Sequence, residues 1–230
     1  MKIFITGIGS GLGEALAKLY LEAGEEVYAL SRFLPRTLES FSNLHFLPLN
    51  LHAHEKIECA LHRLLDGVEL DLAILNAGII GELKDMSDTS LSEINAIMDL
   101  NVWANKVILD FLKYQTVKQV VAISSGASVS GARGWNAYAL SKAALNMLVR
   151  LYAQEMPNTH LTALAPGLID TPMMEHILKS ADRKKFPVVK RLAESTRLAP
   201  EDAARLLADT FERLLEYPSG EYLDVRALPE

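Results

Sequence analysis

A tyrosine and a lysine stand four residues apart in the run Tyr138-Ala-Leu-Ser-Lys142. On a helix this spacing places both side chains on one face, about one turn apart. A nearby ammonium favours the ionised phenol, which brings the tyrosine pKa from about 10 toward a range useful for general acid–base catalysis. Any exposed helix can carry such a pair as a solvated contact. The chemical interpretation therefore depends on what accompanies the pair elsewhere in the chain.

The chain opens with the apolar run Lys2-Ile-Phe-Ile-Thr6, a turn containing Gly7, Gly11 and Gly13, and an amphipathic helical pattern. This order predicts a strand, a glycine turn and a helix whose N-terminal N–H groups face the turn, which is a cradle for phosphate. The spacing fits G-x-x-x-G-x-G rather than G-x-G-x-x-G, because Leu12 stands where the last glycine of the latter would be. The alternative is a tight strand-to-helix turn without a ligand.

Apolar runs alternate with helical patterns along the whole sequence. Strands are predicted near 2–6, 26–31, 44–48, 70–75, 118–124, 159–165 and 221–225, and helices near 12–23, 54–65, 89–114, 136–155 and 201–216. This alternation predicts an α/β fold in which residues 1–230 form a single doubly wound, Rossmann-type domain, a parallel seven-stranded sheet with helices on both faces. Segment 166–199 has the least regular pattern and is predicted to be a substrate lid, with a merely solvated connection as the alternative.

Small and hydroxylated residues follow three of the predicted strands. These are Asn76-Ala77-Gly78, Ser124-Ser125-Gly126 and the segment from Pro166-Gly167 to Thr171. Ligands of open parallel sheets collect beyond the carboxyl ends of the strands, and residues of these types permit a flat ligand to approach closely. Any one of the three segments is compatible with an ordinary loop, but together they predict one binding site.

Composition limits the other classes of function. Half of the 230 residues are hydrophobic, which is enough for a sizeable core, and the formal net charge of −6 does not favour nucleic-acid binding. The single cysteine, Cys59, excludes an intrachain disulfide, indicates a reducing compartment and is expected in the core. No apolar run reaches the roughly 18 residues of a membrane helix, and the first strand is too short and rich in glycine for a signal peptide. A cytoplasmic location without membrane association is therefore expected.

These motifs, in this order, resemble those of the short-chain dehydrogenases/reductases, and the resemblance extends over essentially the whole chain, at the length of the compact members. Thr6 to Gly13 resembles the T-G-x-x-x-G-x-G turn of that family, Asn76-Ala77-Gly78 its N-A-G signature, and Tyr138 with Lys142 its Y-x-x-x-K pair. The resemblance implies a nicotinamide dinucleotide cofactor bound by Thr6, Gly7, Gly9, Ser10, Gly11, Leu12, Gly13, Ser31, Arg32, Asn50, Leu51, Asn76, Ala77, Gly78, Tyr138, Lys142, Pro166, Gly167, Ile169 and Thr171.

The resemblance also implies the catalytic residues Asn101, Ser125, Tyr138 and Lys142. Tyr138 would donate a proton to a carbonyl oxygen during reduction and accept it during alcohol oxidation, while Ser125 would hold the same oxygen. Lys142 would lower the tyrosine pKa and bind the nicotinamide ribose, and Asn101 would kink its helix around a water that relays protons. Ser124 competes for the serine role, because adjacent residues leaving a strand point to opposite faces.

Cofactor preference depends on the residues after the second strand, Ser31 and Arg32. An acidic residue there would bind the ribose hydroxyls of NAD, whereas a guanidinium pairs with the 2′-phosphate of NADP. NADP(H) is therefore favoured over NAD(H). Two departures from the family pattern count against it, namely Ser10 in place of a basic residue and Asn50 in place of an aspartate.

Residues near the predicted site supply further candidates. Arg133 is a candidate anchor for an acidic substrate and Trp135 a candidate hydrophobic wall, with a surface charge and a packing residue as the alternatives. Met173, Met174 and His176 are candidate pocket or lid residues. No metal site is predicted, because His54, Glu58 and His62, although spaced along one helix face, fit a solvated surface better.

The sequence thus predicts an NADP(H)-dependent oxidoreductase that transfers hydride between nicotinamide and a small-molecule carbonyl or secondary alcohol. An NAD-dependent alcohol dehydrogenase of the same family is the first alternative. The second is a dinucleotide-binding regulatory or signalling protein with little turnover, which would need only the glycine turn. The resemblance further implies a homodimer or homotetramer that associates through helices 89–114 and 136–155.

Overall fold

The computed structural model describes residues 1–229 and contains one parallel sheet of seven strands in the order β3-β2-β1-β4-β5-β6-β7. The order reverses between β1 and β4, as in doubly wound folds, and the predicted fold class is confirmed. All seven strands begin and end within one residue of their predicted positions. They are β1 (Lys2–Thr6), β2 (Glu26–Ser31), β3 (Leu44–Pro48), β4 (Leu70–Leu75), β5 (Val117–Ile123), β6 (His160–Ala165) and β7 (Glu221–Asp224).

Helices cover both faces of this sheet. They are α1 (Gly11–Glu22), α2 (His54–Leu65), α3 (Leu91–Met98), α4 (Ala104–Leu112), α5 (Ala127–Ser130), α6 (Asn136–Glu155), α7 (Pro172–Ser180), α8 (Pro187–Glu194) and α9 (Pro200–Arg213). Short 3-10 turns lie at Arg36–Leu38, Met86–Asp88, Leu214–Glu216 and Val225–Ala227. Within residues 1–229, none of the helices combines the length and apolar character that crossing a membrane requires.

The helix predicted over 89–114 is divided in the structure. A π-helical stretch, Asp99–Trp103, separates α3 from α4. Asn101 is fully buried there, and its side chain bonds to the backbone of Ile79 while its own carbonyl accepts from Asn105 Nδ2 at 2.8 Å. These side-chain bonds compete with the regular helical ladder, and such stretches often occur at functional sites. Hydrophobic periodicity alone does not reveal the interruption.

Strands buried on both sides divide the core into two apolar layers. On β4, Ala73 and Leu75 face the layer formed with α2, α4 and α6, whereas Leu72 and Ile74 face the layer formed with α1 and α9. Alternation of this kind is what the continuous apolar run in β4 predicts. The layers fix the strands, and all strand carboxyl ends open at one edge of the sheet.

Cys59 does not belong to this core, contrary to the sequence-based expectation. Its side chain is exposed on α2. The helix buries a different face, formed by Ile57, Ala60, Leu61 and Leu65. The cysteine lies one position away from this stripe, so hydrophobicity of the residue type did not decide its burial.

Segment 166–199 is more regular than predicted, because it contains α7 and α8. The segment packs over the strand ends through a third apolar cluster, which includes Trp135, Tyr138 and Phe186. Phe186 lies directly against Gly134, where an added Cβ would come within 2.8 Å of the ring and where φ is +99°. Only glycine fits both the close contact and the backbone conformation at this position.

Candidate active site

A cavity of about 920 Å³ lies at the carboxyl edge of the sheet. Its walls come from the segments after β1, β2, β3, β4, β5, β6 and β7, together with α6 and segment 166–199. This is the place where open parallel sheets bind ligands. The cavity therefore joins segments that are far apart in sequence into one site.

The glycine turn after β1 forms one end of the cavity. Gly7, Gly9, Ser10, Gly11, Leu12 and Gly13 line it, whereas Thr6 is fully buried beneath the turn. The Thr6 hydroxyl accepts hydrogen bonds from the backbone of Asn76 and Ala77 at 3.0 and 3.1 Å. Thr6 therefore fixes the relation between β1 and β4 and does not itself reach the cavity.

Close packing at the turn requires residues without side chains. A Cβ on Gly13 would overlap the Gly7 carbonyl oxygen and the Asn76 amide, and Gly7 has φ +77°. The first turn of α1 consequently presents its unpaired N–H groups to the cavity, which suits an anion such as pyrophosphate. The Asn76 amide closes the turn by donating to the carbonyls of Thr6 and Gly7 at 3.2 and 3.0 Å.

The segments after β2 and β3 line the same end of the cavity. Ser31, Arg32, Asn50 and Leu51 are among the lining residues. Phe33 also lines this end, with its ring centroid 5.5 Å from the Arg32 guanidinium carbon. Sequence reasoning missed Phe33, although an aromatic residue after a strand end is a signal for stacking on a flat group.

Tyr138 and Lys142 both face the cavity from the first turns of α6 and are almost completely buried. The Lys142 Nζ lies 5.8 Å from the centroid of the Tyr138 ring and donates to the Ile123 carbonyl at 2.7 Å. The helix therefore places the pair on one face, as its spacing predicts, but the hydrogen bond that the ammonium makes is to the Ile123 carbonyl and not to the Tyr138 hydroxyl.

Burial dominates the electrostatics of this pair. It raises the pKa of Tyr138, and a hydrogen bond with Ser125 offsets part of that rise. Burial lowers the pKa of Lys142 to about 8. Both shifts favour the uncharged forms. The direction for Tyr138 is opposite to the one expected from a neighbouring ammonium, because desolvation of the phenolate outweighs any attraction to Lys142.

The two serines after β5 have different surroundings. Ser125 is partly exposed to the cavity and reaches Tyr138, while its oxygen also accepts from the Ala127 N–H at 3.1 Å. The Ser124 hydroxyl instead donates to Asn146 Oδ1 at 2.5 Å and is 2% exposed. The structure thus brings Ser125, and not Ser124, together with the tyrosine.

Asn101 lies behind the cavity rather than in its wall. Its Oδ1 accepts from the Ile79 N–H, and its Nδ2 donates to the Ile79 carbonyl and to the Ser141 hydroxyl. A Cβ on Gly78 would lie 3.2 Å from Asn101 Oδ1 and 3.5 Å from Lys142 Nζ. Gly78 therefore separates the asparagine from the lysine with little space to spare, and it lines the cavity together with Asn76 and Ala77.

Segment 166–199 forms a further part of the cavity wall. Pro166, Gly167, Ile169 and Thr171 line it. The Thr171 hydroxyl accepts from the Met174 N–H at 3.3 Å and thereby caps α7. Its methyl carbon lies 3.2 Å from a Cβ built on Gly11, so this segment touches the glycine turn directly.

Some of the candidate substrate residues line the cavity, and others lie outside it. Trp135, Met173 and Met174 line the cavity, and the Trp135 ring centroid lies 5.9 Å from that of Tyr138. His176 lines only a small adjoining depression. Arg133 lies outside the cavity wall, where its guanidinium pairs with both carboxylate oxygens of Asp85 at 2.6 and 2.8 Å. The pairing explains why Arg133 does not turn toward the site.

Three charged residues of the wall were missed in the sequence. Arg191 belongs to α8. Asp224 is the last residue of β7, and Arg226 follows that strand. The signal that could have found the last two is the rule already applied to the other strands, that residues beyond a carboxyl end meet the ligand.

His54 and His62, which share one face of α2 with Glu58, contact other parts of the protein. His54 bonds to the Asp99 carbonyl at 2.7 Å, and the His62 ring packs edge-on against Phe111. Nowhere in residues 1–229 do three or more His, Cys, Asp or Glu side chains gather in a metal-binding arrangement.

Comparison with known proteins agrees with this geometry. A family model described as short chain dehydrogenase matches residues 1–182. The chain is 32% identical over 227 residues to a benzil reductase ((S)-benzoin forming) of Bacillus subtilis (strain 168), with 92% of each chain covered. It is 28% identical over 246 residues to a benzil reductase ((S)-benzoin forming) of Bacillus cereus, with 97% of this chain and 98% of the relative covered.

Solved structures share the fold. The crystal structure of the KRED1-Pglu enzyme has a TM-score of 0.85 at 24% identity, and the match covers 97% of this chain and 100% of the other. The sequence and the fold thus point to the same family. Both contain the glycine turn, the N-A-G segment and the buried Tyr–Lys pair described above. The chain belongs to the short chain dehydrogenase family of NAD(P)-dependent oxidoreductases.

Proposed function

We propose that the protein is an NADP(H)-dependent reductase of small carbonyl compounds that also oxidises the corresponding secondary alcohols. The observation that carries this proposal is the meeting of Ser125, Tyr138 and Lys142 in the wall of the cavity that the glycine turn also lines. A protein that only bound a dinucleotide would need the turn alone. Acid–base groups beside the turn indicate turnover.

The residues of the cavity suit a dinucleotide. The N–H groups of α1 and the glycine turn would hold the pyrophosphate, and Lys142 would hold the nicotinamide ribose. When bound, the nicotinamide supplies or accepts the hydride. Pro166, Gly167, Ile169 and Thr171 also line the cavity and would contact the nicotinamide end.

The proposed mechanism uses two hydroxyls on one substrate oxygen. Tyr138 donates its proton to the carbonyl oxygen during reduction and accepts the alcohol proton during oxidation. The Ser125 hydroxyl donates to the same oxygen and orients it. The raised pKa of Tyr138 keeps the phenol protonated near neutral pH, which is the form that reduction requires. Asn101 would act through Ser141 and the backbone of α6.

The preference for NADP(H) is supported by the charges around the cavity. Arg32 lines the end near β2, and Asp224, which ends β7, is the one acidic residue among the lining residues within 1–229. An acidic residue after β2, which would favour NAD, is therefore missing from that part of the wall. The guanidinium of Arg32 would instead pair with a 2′-phosphate.

Segment 166–199 is proposed as the substrate lid. Its helices α7 and α8 bury Ile177, Val189 and Leu192 against the cluster that contains Trp135 and Tyr138. The substrate side of the cavity is accordingly apolar, with Trp135 and Met173 in its wall. The relatives named benzil reductases make aromatic ketones the first substrates to test.

We propose a homodimer or homotetramer formed through α6 and the helices before it. Trp103 in the π-helical stretch and Leu140, Met147 and Leu151 on α6 are large apolar side chains that are about half exposed. Such a group of exposed apolar residues is typical of an association surface. Light scattering at micromolar concentration should report a dimer or tetramer, and a monomer would contradict the proposal.

Cofactor binding is the experiment that tests the function. Purified protein is titrated with NADPH and NADH by fluorescence, beside an Arg32→Ala variant and a Tyr138→Phe variant. We expect tighter binding of NADPH, selective loss of that preference in Arg32→Ala, and intact binding without turnover in Tyr138→Phe. Equal binding of both cofactors would reject the NADP(H) preference. If the unaltered protein binds a cofactor but turns over no carbonyl compound, the proposed enzymatic function is rejected.

A further inference from the structure

Arg226 is a charged residue of the cavity wall that the proposed mechanism leaves without a role. It follows β7, in the 3-10 turn Val225–Ala227. It reaches the cavity between two glycines, since a Cβ on Gly126 would lie 3.2 Å from its Nη2 and a Cβ on Gly167 would lie 3.8 Å from its Cγ. The guanidinium is thus next to the residue that follows Ser125.

Asp224 fixes the orientation of this guanidinium. Its Oδ1 accepts from Arg226 Nε at 2.9 Å and its Oδ2 from Nη2 at 2.6 Å. Asp224 also accepts from the backbone N–H of Arg226, so the carboxylate holds both the main chain and the side chain. The two parallel contacts are the bidentate geometry that orients an arginine well.

The paired guanidinium has N–H groups that the Asp224 carboxylate does not engage. An arginine has five N–H groups, and the carboxylate engages Nε and one N–H of Nη2. The pair is neutral as a whole, because the hydrogen bonds from Arg226 lower the pKa of Asp224 and keep it ionised. Oriented donors without net charge suit a neutral acceptor, such as a carbonyl oxygen, better than a free anion.

We propose that Arg226 is a specificity-determining residue that donates a hydrogen bond to a second carbonyl oxygen of the substrate, so that the enzyme selects dicarbonyl compounds over monoketones. The inference rests on the proposed function, in which Tyr138 and Ser125 bind the first carbonyl oxygen. Gly126, which directly follows Ser125, leaves room for Nη2 of the guanidinium, and Gly167 borders the aliphatic stem of Arg226. Arg226 lines the same cavity as Ser125 and Tyr138, and the apolar wall formed by Trp135 and Met173 would accept the rest of the molecule.

A substrate pair of matched size tests the contact. Benzil has two adjacent carbonyl groups between its phenyl rings, and deoxybenzoin has a methylene in place of one of them. We compare kcat/KM with NADPH for both substrates in the unaltered enzyme and in Arg226→Gln. The greater intrinsic reactivity of the diketone cancels when each variant is compared with the unaltered enzyme on the same substrate.

We expect Arg226→Gln to lower kcat/KM for benzil about 10- to 100-fold, the usual effect of losing a hydrogen bond to a charged group. The value for deoxybenzoin should change less than about threefold, because this ketone offers no second oxygen. Asp224→Asn, which keeps the arginine but loosens its orientation, should show a smaller effect of the same selectivity. Asp224→Asn therefore provides a second test of the proposal if Arg226→Gln folds poorly.

Two further arginines provide matched controls. Arg191 lines the same cavity from α8, so Arg191→Gln removes a positive charge at a different position. Arg205 pairs with Asp202 at 2.6 Å on α9, away from the cavity, so Arg205→Gln removes a surface ion pair. Neither should change the ratio of benzil to deoxybenzoin turnover, and Arg205→Gln should also leave NADPH binding unaltered.

Equal loss on both substrates, or the same selective loss in Arg191→Gln, would overturn the assignment of Arg226. In that outcome turnover of deoxybenzoin by the unaltered enzyme still supports the proposed function. Absence of turnover on both these substrates and on a wider panel of ketones would instead reject the proposed function and the inference together.

Discussion

The side-chain amide of Asn101 donates to the hydroxyl of Ser141, 40 residues later in the chain, at 2.9 Å. That hydroxyl donates in turn to the carbonyl of Tyr138 at 2.8 Å, and Asn101 exchanges two further hydrogen bonds with the backbone of Ile79. One buried side chain therefore joins the loop after β4 to the helix that carries the tyrosine.

Asn101→Ala should destabilise the protein and displace Tyr138. The substitution removes three hydrogen bonds and leaves the part-buried N–H and carbonyl of Ile79 without this partner, which costs about 2–4 kcal/mol in free energy of unfolding. Ser141→Ala removes one of these bonds together with the bond from Ser141 to the Tyr138 carbonyl, and it should cost about 1–2 kcal/mol. Urea denaturation measures both values. An Asn101→Ala variant as stable as the Ser141→Ala variant would show that the bonds to Ile79 contribute little.

Ser125→Ala and Ser124→Ala form a matched pair that tests the serine role. Ser125 reaches Tyr138 in the cavity, whereas Ser124 donates to Asn146 behind it. Loss of the oxygen-binding hydroxyl should lower kcat about 100-fold or more in Ser125→Ala. Ser124→Ala should mainly reduce stability, by about 1 kcal/mol, with kcat within about threefold. Steady-state kinetics and thermal melting separate the two effects, and the reverse pattern would assign the role to Ser124.

Much of the fold was predictable because apolar patterning and glycine spacing are local signals. The run from Leu70 to Leu75 specifies a strand buried on both faces, and Gly7 and Gly13 specify a turn that only glycine can make. The site residues with short motifs, such as Tyr138 and Lys142, follow from these elements. Both side chains line the cavity from one face of α6, which is what a spacing of four residues on a helix predicts.

Other features depend on contacts between distant segments, which no local pattern encodes. The direction of Arg133 is set by Asp85, in a loop 48 residues earlier, and the orientation of the Asn101 side chain by its bonds to Ile79 and Ser141. The shift in the pKa of Tyr138 depends on how completely segment 166–199 and α6 exclude water, which only the folded protein shows.

Asp85 joins three parts of the molecule and should influence substrate affinity. Its carboxylate pairs with Arg133 before α6 and, at 3.1 Å, with Lys185 in segment 166–199. Lys185 directly precedes Phe186, which is buried in the cluster over the cavity. The two cations hold the pKa of Asp85 well below its usual range, so the carboxylate is charged at every working pH.

Asp85→Asn should therefore weaken the attachment of segment 166–199 and raise KM about two- to fivefold, with kcat nearly unchanged. The effect is small because exposed ion pairs are individually weak, and raised ionic strength should reproduce part of it in the unaltered enzyme. Asp202→Asn removes a carboxylate that pairs with Arg205 on α9, and this variant is the control. A KM that responds equally to both substitutions would exclude a specific role of Asp85.

Lys142 should make the stability of the protein depend on pH in a predictable direction. Burial lowers its pKa from 10.5 to about 8, so the folded state releases this proton at lower pH than the unfolded state. Below about pH 8 both states bind the proton, so the folded state bears the full cost of the buried charge. Between about pH 8 and 10.5 only the unfolded state still binds the proton, so the free energy of unfolding rises with pH. The full cost corresponds to about 3 kcal/mol.

Lys142→Met removes this titration, so the stability advantage of the variant should shrink by about 2 kcal/mol between pH 7 and about pH 9.5. Measurements stop there because the raised pKa of Tyr138 makes stability fall above about pH 10, where only the unfolded phenol ionises. Denaturant unfolding of both proteins across this range gives the difference. In Lys113→Met, the control, the lost ammonium has a pKa raised by Glu155, so its difference from the unaltered protein should stay constant over the same range. A constant difference in Lys142→Met as well would show that the buried lysine keeps its proton in the folded state.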